Sequence, residues 1–174
     1  MTDNIITPTT PEQKLKVLKD ARAKLKNGFT RYAWCKLIDG VEHYCLYGAV
    51  EAAMGYDLVA MLRDEVEQQM TYRDEMSAEE EEHQLREWMR NPEDLNYNPE
   101  LDDEVSACSL TTTMYEAGVK CGVVTPMTEE QAKGKMPMTW KVSRLQAVND
   151  SKGLEAVLEV LDQAIEDLQA EVDE

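Results

Sequence analysis

The sequence predicts a mainly α fold: a single helical domain carrying one small β-hairpin at about residues 32–45. Three observations predict it. Apolar residues recur at helical spacing along most of the chain, most clearly from Leu154 to Leu168. Helix starts are marked by capping boxes, Thr10 with Gln13 and Ser77 with Glu80. One short stretch, residues 29–44, interrupts the helical pattern with aromatic and β-branched residues around Asp39-Gly40, a strong tight-turn signal. A chain of 174 residues is long enough to bury roughly 70% of its unfolded surface, so one domain needs no staple.

Residues 1–9 read as a flexible polar arm, and residues 10–174 as the domain. In the first helix Thr10 is the N-cap and Pro11 the first helical residue, followed by Leu15, Leu18, Ala21 and Leu25 on one face. Asn27-Gly28 ends it, with Gly28 expected in the left-handed cap conformation. The hairpin follows at 32–38 and 41–45. It must pack on helices, because an isolated hairpin is marginal in water. Residues 45–54 return to helical composition, with small side chains at Gly48, Ala49, Ala52 and Ala53, and Gly55 stops the helix.

An acidic insertion is expected at about 57–105. Leu58, Met61, Leu62, Val66 and Met70 form one apolar stripe there, and Leu85, Trp88 and Met89 the buried face of a further helix. Asn91-Pro92 breaks that helix and opens a loop over 91–100. Helical spacing resumes over 101–117 through Leu101, Val105, Cys108, Thr112 and Tyr115. Residues 118–138, with three glycines and two prolines, read as a loop-rich connector in which Thr128 and Gln131 cap one short turn. Residues 139–148 form a short helix, Asn149 to Gly153 a turn and cap, and the remainder the last helix. In it Glu155, Glu159, Asp162 and Glu166 lie off the apolar stripe.

Charge is distributed unevenly. The formal net charge is −17, and it resolves into +2 over residues 1–56, −13 over 57–105, +2 over 106–153 and −8 over 154–174. Two acidic blocks thus sit on a near-neutral framework. Such a chain repels nucleic acid and anionic membranes, so neither is expected as a direct ligand, while a basic partner is attracted. The N-terminus has no basic region followed by a long apolar run, and no stretch approaches the ~20 apolar residues of a membrane helix. The expected location is cytoplasmic, in a bacterial host, with reduced thiols.

Motifs for chemistry are sparse. Cys35 and Cys45 are separated by 9 residues, and Cys108 and Cys121 by 12, whereas zinc sites present close pairs. No metal and no cofactor is expected. The two histidines, His43 and His83, match no complete catalytic pattern. Glu80-x-x-His83 is half of a di-iron helix motif that must occur twice. Phosphate-cradling glycine loops are absent.

Two separated stretches carry a likeness. Trp34-Cys35, the hairpin and Cys45-Leu-Tyr-Gly48-Ala49 form the first. Asn149-Asp150, followed by Val157-Leu158 through Ala164-Ile165, forms the second. Together they resemble an uncharacterised family of small actinobacterial and actinophage proteins over residues 29–53 and 148–165. Val148 stands where that family has a tryptophan, and 57–105 is longer and more acidic than the family pattern. The resemblance implies a mostly helical fold and a phage source, and no activity.

The leading expectation is therefore a non-enzymatic acidic interaction protein, a phage-encoded modulator or inhibitor of a host protein. It would present a DNA-like acidic surface to a basic, nucleic-acid-binding partner. The partner-binding residues expected are Glu79, Glu80, Glu81, Glu82, Asp102, Asp103 and Glu104, with Trp88 and Tyr97 as aromatic anchors. An alternative stays open: a small enzyme or ligand-binding domain using a pocket of Trp34, Cys35, His43, Cys45, Asn149 and Asp150 between the hairpin and the next helix. Homodimerisation through the last helix is a third expectation.

Overall fold

A computed structural model describes residues 5–61, 109–134 and 137–173. Among them the architecture is mainly α with a two-stranded antiparallel hairpin, as the hydrophobic periodicity predicts. The elements are α1 (Pro11–Asn27), β1 (Cys35–Ile38), β2 (Val41–Tyr44), α2 (Leu46–Met54), α3 (Ser109–Lys120), α4 (Glu129–Lys133) and α5 (Pro137–Ala147). A single π-helical turn (Val148–Lys152) then leads into α6 (Leu154–Asp173). Nearly all of the predicted acidic insertion, with Glu79–Glu82, Trp88, Tyr97 and Asp102–Glu104, lies outside the described residues.

The start of α1 follows its sequence signal atom by atom. The Thr10 hydroxyl accepts from the Gln13 N–H at 3.3 Å, and the Gln13 side chain accepts from the Thr10 N–H at 3.2 Å. The described part of the N-terminal arm, residues 5–9, is fastened to the domain rather than free. Ile6 N–H donates to the Met54 carbonyl at 2.8 Å, and Pro8 is buried. Gly28 corrects the expectation for the end of α1. Its φ is −167°, an extended conformation, not a left-handed cap. A Cβ there would lie 2.5 Å from the Glu42 carbonyl oxygen, so glycine is required for space.

The hairpin turn is formed by Asp39 (φ 51°) and Gly40 (φ 77°), both left-handed, which matches the right-handed twist of the strands. Cys35 pairs with Tyr44, and Ile38 with Val41. The hairpin is anchored on its other edge. Tyr44 exchanges backbone hydrogen bonds with Gly28 and Thr30, each at 3.0 Å. Gly48 lets α2 press against the chain entering β1, since a Cβ at this position would sit 2.0 Å from the Trp34 carbonyl oxygen.

Gly118, read as the start of a connector, lies inside α3. It makes room for Val124, whose methyl would be 2.3 Å from a Cβ there. Residues 149–153, expected as a turn and cap, continue α5 as the π-helical turn, which Gly153 does cap, its N–H on the Val148 carbonyl at 3.1 Å. The core is aliphatic: Leu18 and Leu25 of α1, Leu46 and Val50 of α2, Leu110 and Met114 of α3, Leu145 of α5, and Val157, Val160 and Leu161 of α6. Helix α6 packs on both α1 and α3, α1 also on α2, and α3 on α5. Burying such side chains is the main stabilising contribution, about 1.5–3 kcal/mol for each large one.

Candidate functional site

Residues 32–34, the first turn of α2 and the end of α5 with the π-helical turn meet at a half-open groove of about 390 Å³. Tyr32, Ala33, Trp34, Cys45, Leu46, Tyr47, Gln146, Asn149 and Asp150 line it. The tie that holds these segments together is Asn149, 3% exposed. Its Oδ1 accepts the Leu46 N–H at 2.9 Å. Its Nδ2 donates to the Thr30 carbonyl at 3.4 Å and to Asp150 Oδ1 at 2.8 Å. The π-helical turn aims this amide inward, as such one-turn irregularities often do at functional sites.

Asp150 in turn fixes Tyr32. Its Oδ1 accepts the Tyr32 N–H at 3.1 Å, and its main-chain carbonyl accepts the Tyr32 hydroxyl at 3.2 Å. Tyr32 has φ 58°, a left-handed conformation uncommon for a residue with a bulky side chain. These two bonds offset that strain and stand the ring in solvent, 78% exposed, beside Trp34 at 50%.

Cys45 is the N-cap of α2. Its Sγ accepts from the Gly48 N–H at 3.4 Å, and its own N–H donates to the Trp34 carbonyl at 3.1 Å. Burial raises the Cys45 thiol above its usual range, while the Gly48 and Tyr47 amides pull the other way and the Glu51 and Asp150 carboxylates raise it further. Burial, with Glu42 adding to it, raises the Cys35 thiol as well. Both are neutral thiols at physiological pH, and a neutral thiol is a poor nucleophile. Glu51, one turn and a half after Cys45 on α2, is pushed up to about 7 by burial.

Of the six pocket residues expected, the structure brings together Trp34, Cys45, Asn149 and Asp150. Cys35 and His43 do not line the groove, and this corrects the expected set. Side chains alternate across a strand, and the register places Cys35 opposite Tyr44 in the core and His43 opposite Lys36. The His43 ring lies against Gly28, with Nδ1 3.3 Å from the Phe29 carbonyl oxygen. Tyr32, Tyr47 and Gln146 were missed. Gln146 stands three residues before Asn149, a spacing that shares a helix face, whereas Tyr47, two after Cys45, has no such signal and is brought to the groove by packing.

A second surface runs along α6, where Glu155, Glu159, Asp162 and Glu166 are exposed at one-turn intervals. Arg22 reaches Asp162 (Nη2 to Oδ2, 2.8 Å), and Lys120 pairs with Asp167 on the flank. The apolar side of α6 is spent within the chain, since Val157, Val160, Leu161, Ala164 and Leu168 are buried in the core. Among the described residues no group of three or more His, Cys, Asp or Glu is placed to hold a metal ion, and no helix is long and apolar enough to cross a membrane. Cys35, Cys45 and Cys121 are free thiols. Set against models of protein families, curated proteins and solved structures, the chain matches none of them.

Proposed function

We propose that the protein is a non-enzymatic acidic interaction protein that binds a basic protein partner, and that it is a phage-encoded modulator or inhibitor of a host protein. The observation that carries the binding reading is the row of exposed carboxylates on α6. These lie ~4.5–6 Å apart along the helix axis, against an axial rise of ~3.4 Å per phosphate of one DNA strand. Such a row imitates the sign and direction of a phosphate strand rather than its register. It would steer a basic, nucleic-acid-binding surface toward the protein by long-range attraction. The phage source rests on the family resemblance of residues 29–53 and 148–165.

The raised Cys45 thiol and the placement of His43 away from it favour a binding groove over a catalytic one for the second surface. The test is capture of partners from bacterial lysate on the tagged full chain, with elution by rising salt and identification by mass spectrometry. The expected result is one basic, nucleic-acid-binding protein released at a defined salt step. It should be lost when Glu159 and Glu166 are both changed to Gln. Capture that resists salt, or no enrichment at low salt, would overturn the electrostatic reading.

A further inference from the structure

The groove differs from the α6 surface in having a shape, and its chemistry selects the sign of its ligand. A helix N-terminus ordinarily attracts an anion through its free N–H groups. In α2 three of the four are taken. The Cys45 N–H is on the Trp34 carbonyl at 3.1 Å, the Leu46 N–H on Asn149 Oδ1 and the Gly48 N–H on Cys45 Sγ. An anion would find the helix start largely occupied and would meet the Asp150 carboxylate. A cation would meet that carboxylate, held in place by Asn149 and Tyr32, together with two aromatic side chains that stand largely in solvent. Aromatic faces attract cations, tryptophan most strongly, and a carboxylate adds a charge-assisted pair. The two cationic residues nearest in sequence are directed elsewhere. Lys152 donates to the Val123 carbonyl, and the Arg31 guanidinium lies over Gly153.

We propose that this groove is an arginine receptor, in which a guanidinium from the basic partner stacks on Tyr32 and Trp34 and pairs with Asp150. The proposal deepens the basic-partner reading and rests on it for the source of the arginine. Arginine rather than lysine is the occupant because its planar, weakly hydrated head stacks on rings and pairs with a carboxylate at once.

The experiment is a titration of the ¹⁵N-labelled full chain, followed by two-dimensional NMR. The ligands are N-acetyl-arginine methylamide, its lysine counterpart and the neutral isostere N-acetyl-citrulline methylamide. The arginine compound should give saturable shifts at the Trp34 indole N–H and at the Tyr32, Leu46 and Asp150 amides. Citrulline should bind about tenfold more weakly or less, the usual worth of a charge-assisted hydrogen bond. Asp150→Asn keeps an oxygen for the Tyr32 N–H and should lower arginine affinity about tenfold. Trp34→Ala keeps the carboxylate and should lower it several-fold, with retained spectral dispersion reporting the fold in both variants. Equal binding of citrulline, tighter binding of lysine, or arginine shifts confined to α6 would overturn the proposal. Saturation of the groove by arginine without a basic partner in lysate would refute the partner reading and leave the site standing. A captured basic partner without groove shifts would refute the site alone.

Discussion

Asn149 accepts the Leu46 N–H at 2.9 Å across 103 residues of chain. With this bond the π-helical turn after α5 satisfies a donor at the start of α2 that the helix cannot satisfy itself. The same side chain holds the Thr30 carbonyl and the Asp150 carboxylate, so one amide joins the entrance to the hairpin, α2 and the approach to α6.

Replacing Asn149 with Ala should therefore destabilise the protein by roughly 2–3 kcal/mol, because it leaves buried backbone groups unpaired. Urea denaturation followed by far-UV circular dichroism measures this. Asn149→Asp retains the acceptor for Leu46 but sets a carboxylate beside Asp150. Its cost should grow as pH rises through the carboxylate range. A change below about 0.5 kcal/mol for the alanine variant would show that the amide is not the tie described.

Gly48→Ala should be among the costliest small substitutions in the chain. The added methyl would lie 2.0 Å from the Trp34 carbonyl oxygen, and backbone on both sides must move. A loss of about 1–3 kcal/mol is expected from overpacking. The Cys45-to-Trp34 backbone bond should open with it, which shows as faster amide exchange at Cys45. By contrast, Gly40→Ala meets no neighbour and acts only through its positive φ.

Glu51 gives stability a definite pH dependence. Burial pushes its folded-state pKa to about 7, above its ordinary value of 4.5. Between those values the folded state holds a proton that the unfolded state has lost. Stability from this group is therefore fully present below about 4.5, falls as pH rises, and levels off above about 7. The decline should be about 2 kcal/mol once the partial exposure of the side chain is allowed for. Glu51→Gln should remove this decline between about pH 4.5 and 7, as measured by thermal melts across that range. A wild-type slope that persists in the variant would assign it to another group.

Cys45 should tolerate serine. Its role is to cap α2, and a hydroxyl caps a helix at least as well as a thiol. Cys45→Ser is expected to change stability by less than about 1 kcal/mol, whereas Cys45→Ala should cost about 1 kcal/mol. Partner capture should survive the serine variant. Loss of activity in a well-folded Cys45→Ser protein would instead favour thiol chemistry. Cys45 and Cys35 should also alkylate slowly in the native state, since both are buried and both thiols are raised.

Signals confined to a few neighbouring residues were legible in advance. The Thr10–Gln13 box, the Thr128–Gln131 box, the Asp39-Gly40 turn and the apolar stripe of α6 all act through contacts three or four residues apart, and each appears where it was read. The glycines were read less well. Gly28 ends α1 as the sequence predicts, though in extended backbone, while Gly118 lies inside α3; what demands glycine at both is the approach of another segment, the Glu42 carbonyl in one case and Val124 in the other. No local pattern encodes that approach.

The candidate groove divides in the same way. Trp34, Cys45, Asn149 and Asp150 were legible as polar or aromatic residues near element boundaries, where side chains are free to serve a site. Their assembly, the exclusion of His43 and Cys35, and the inclusion of Tyr32, Tyr47 and Gln146 were decided only by tertiary structure. Helical class, helix starts and the placing of charge follow from short-range periodicity and composition, which the chain carries whatever its neighbours are. Which side chains share a groove depends on strand register and on one buried amide bonded across 103 residues. Contacts of that range exist only once the whole domain has packed.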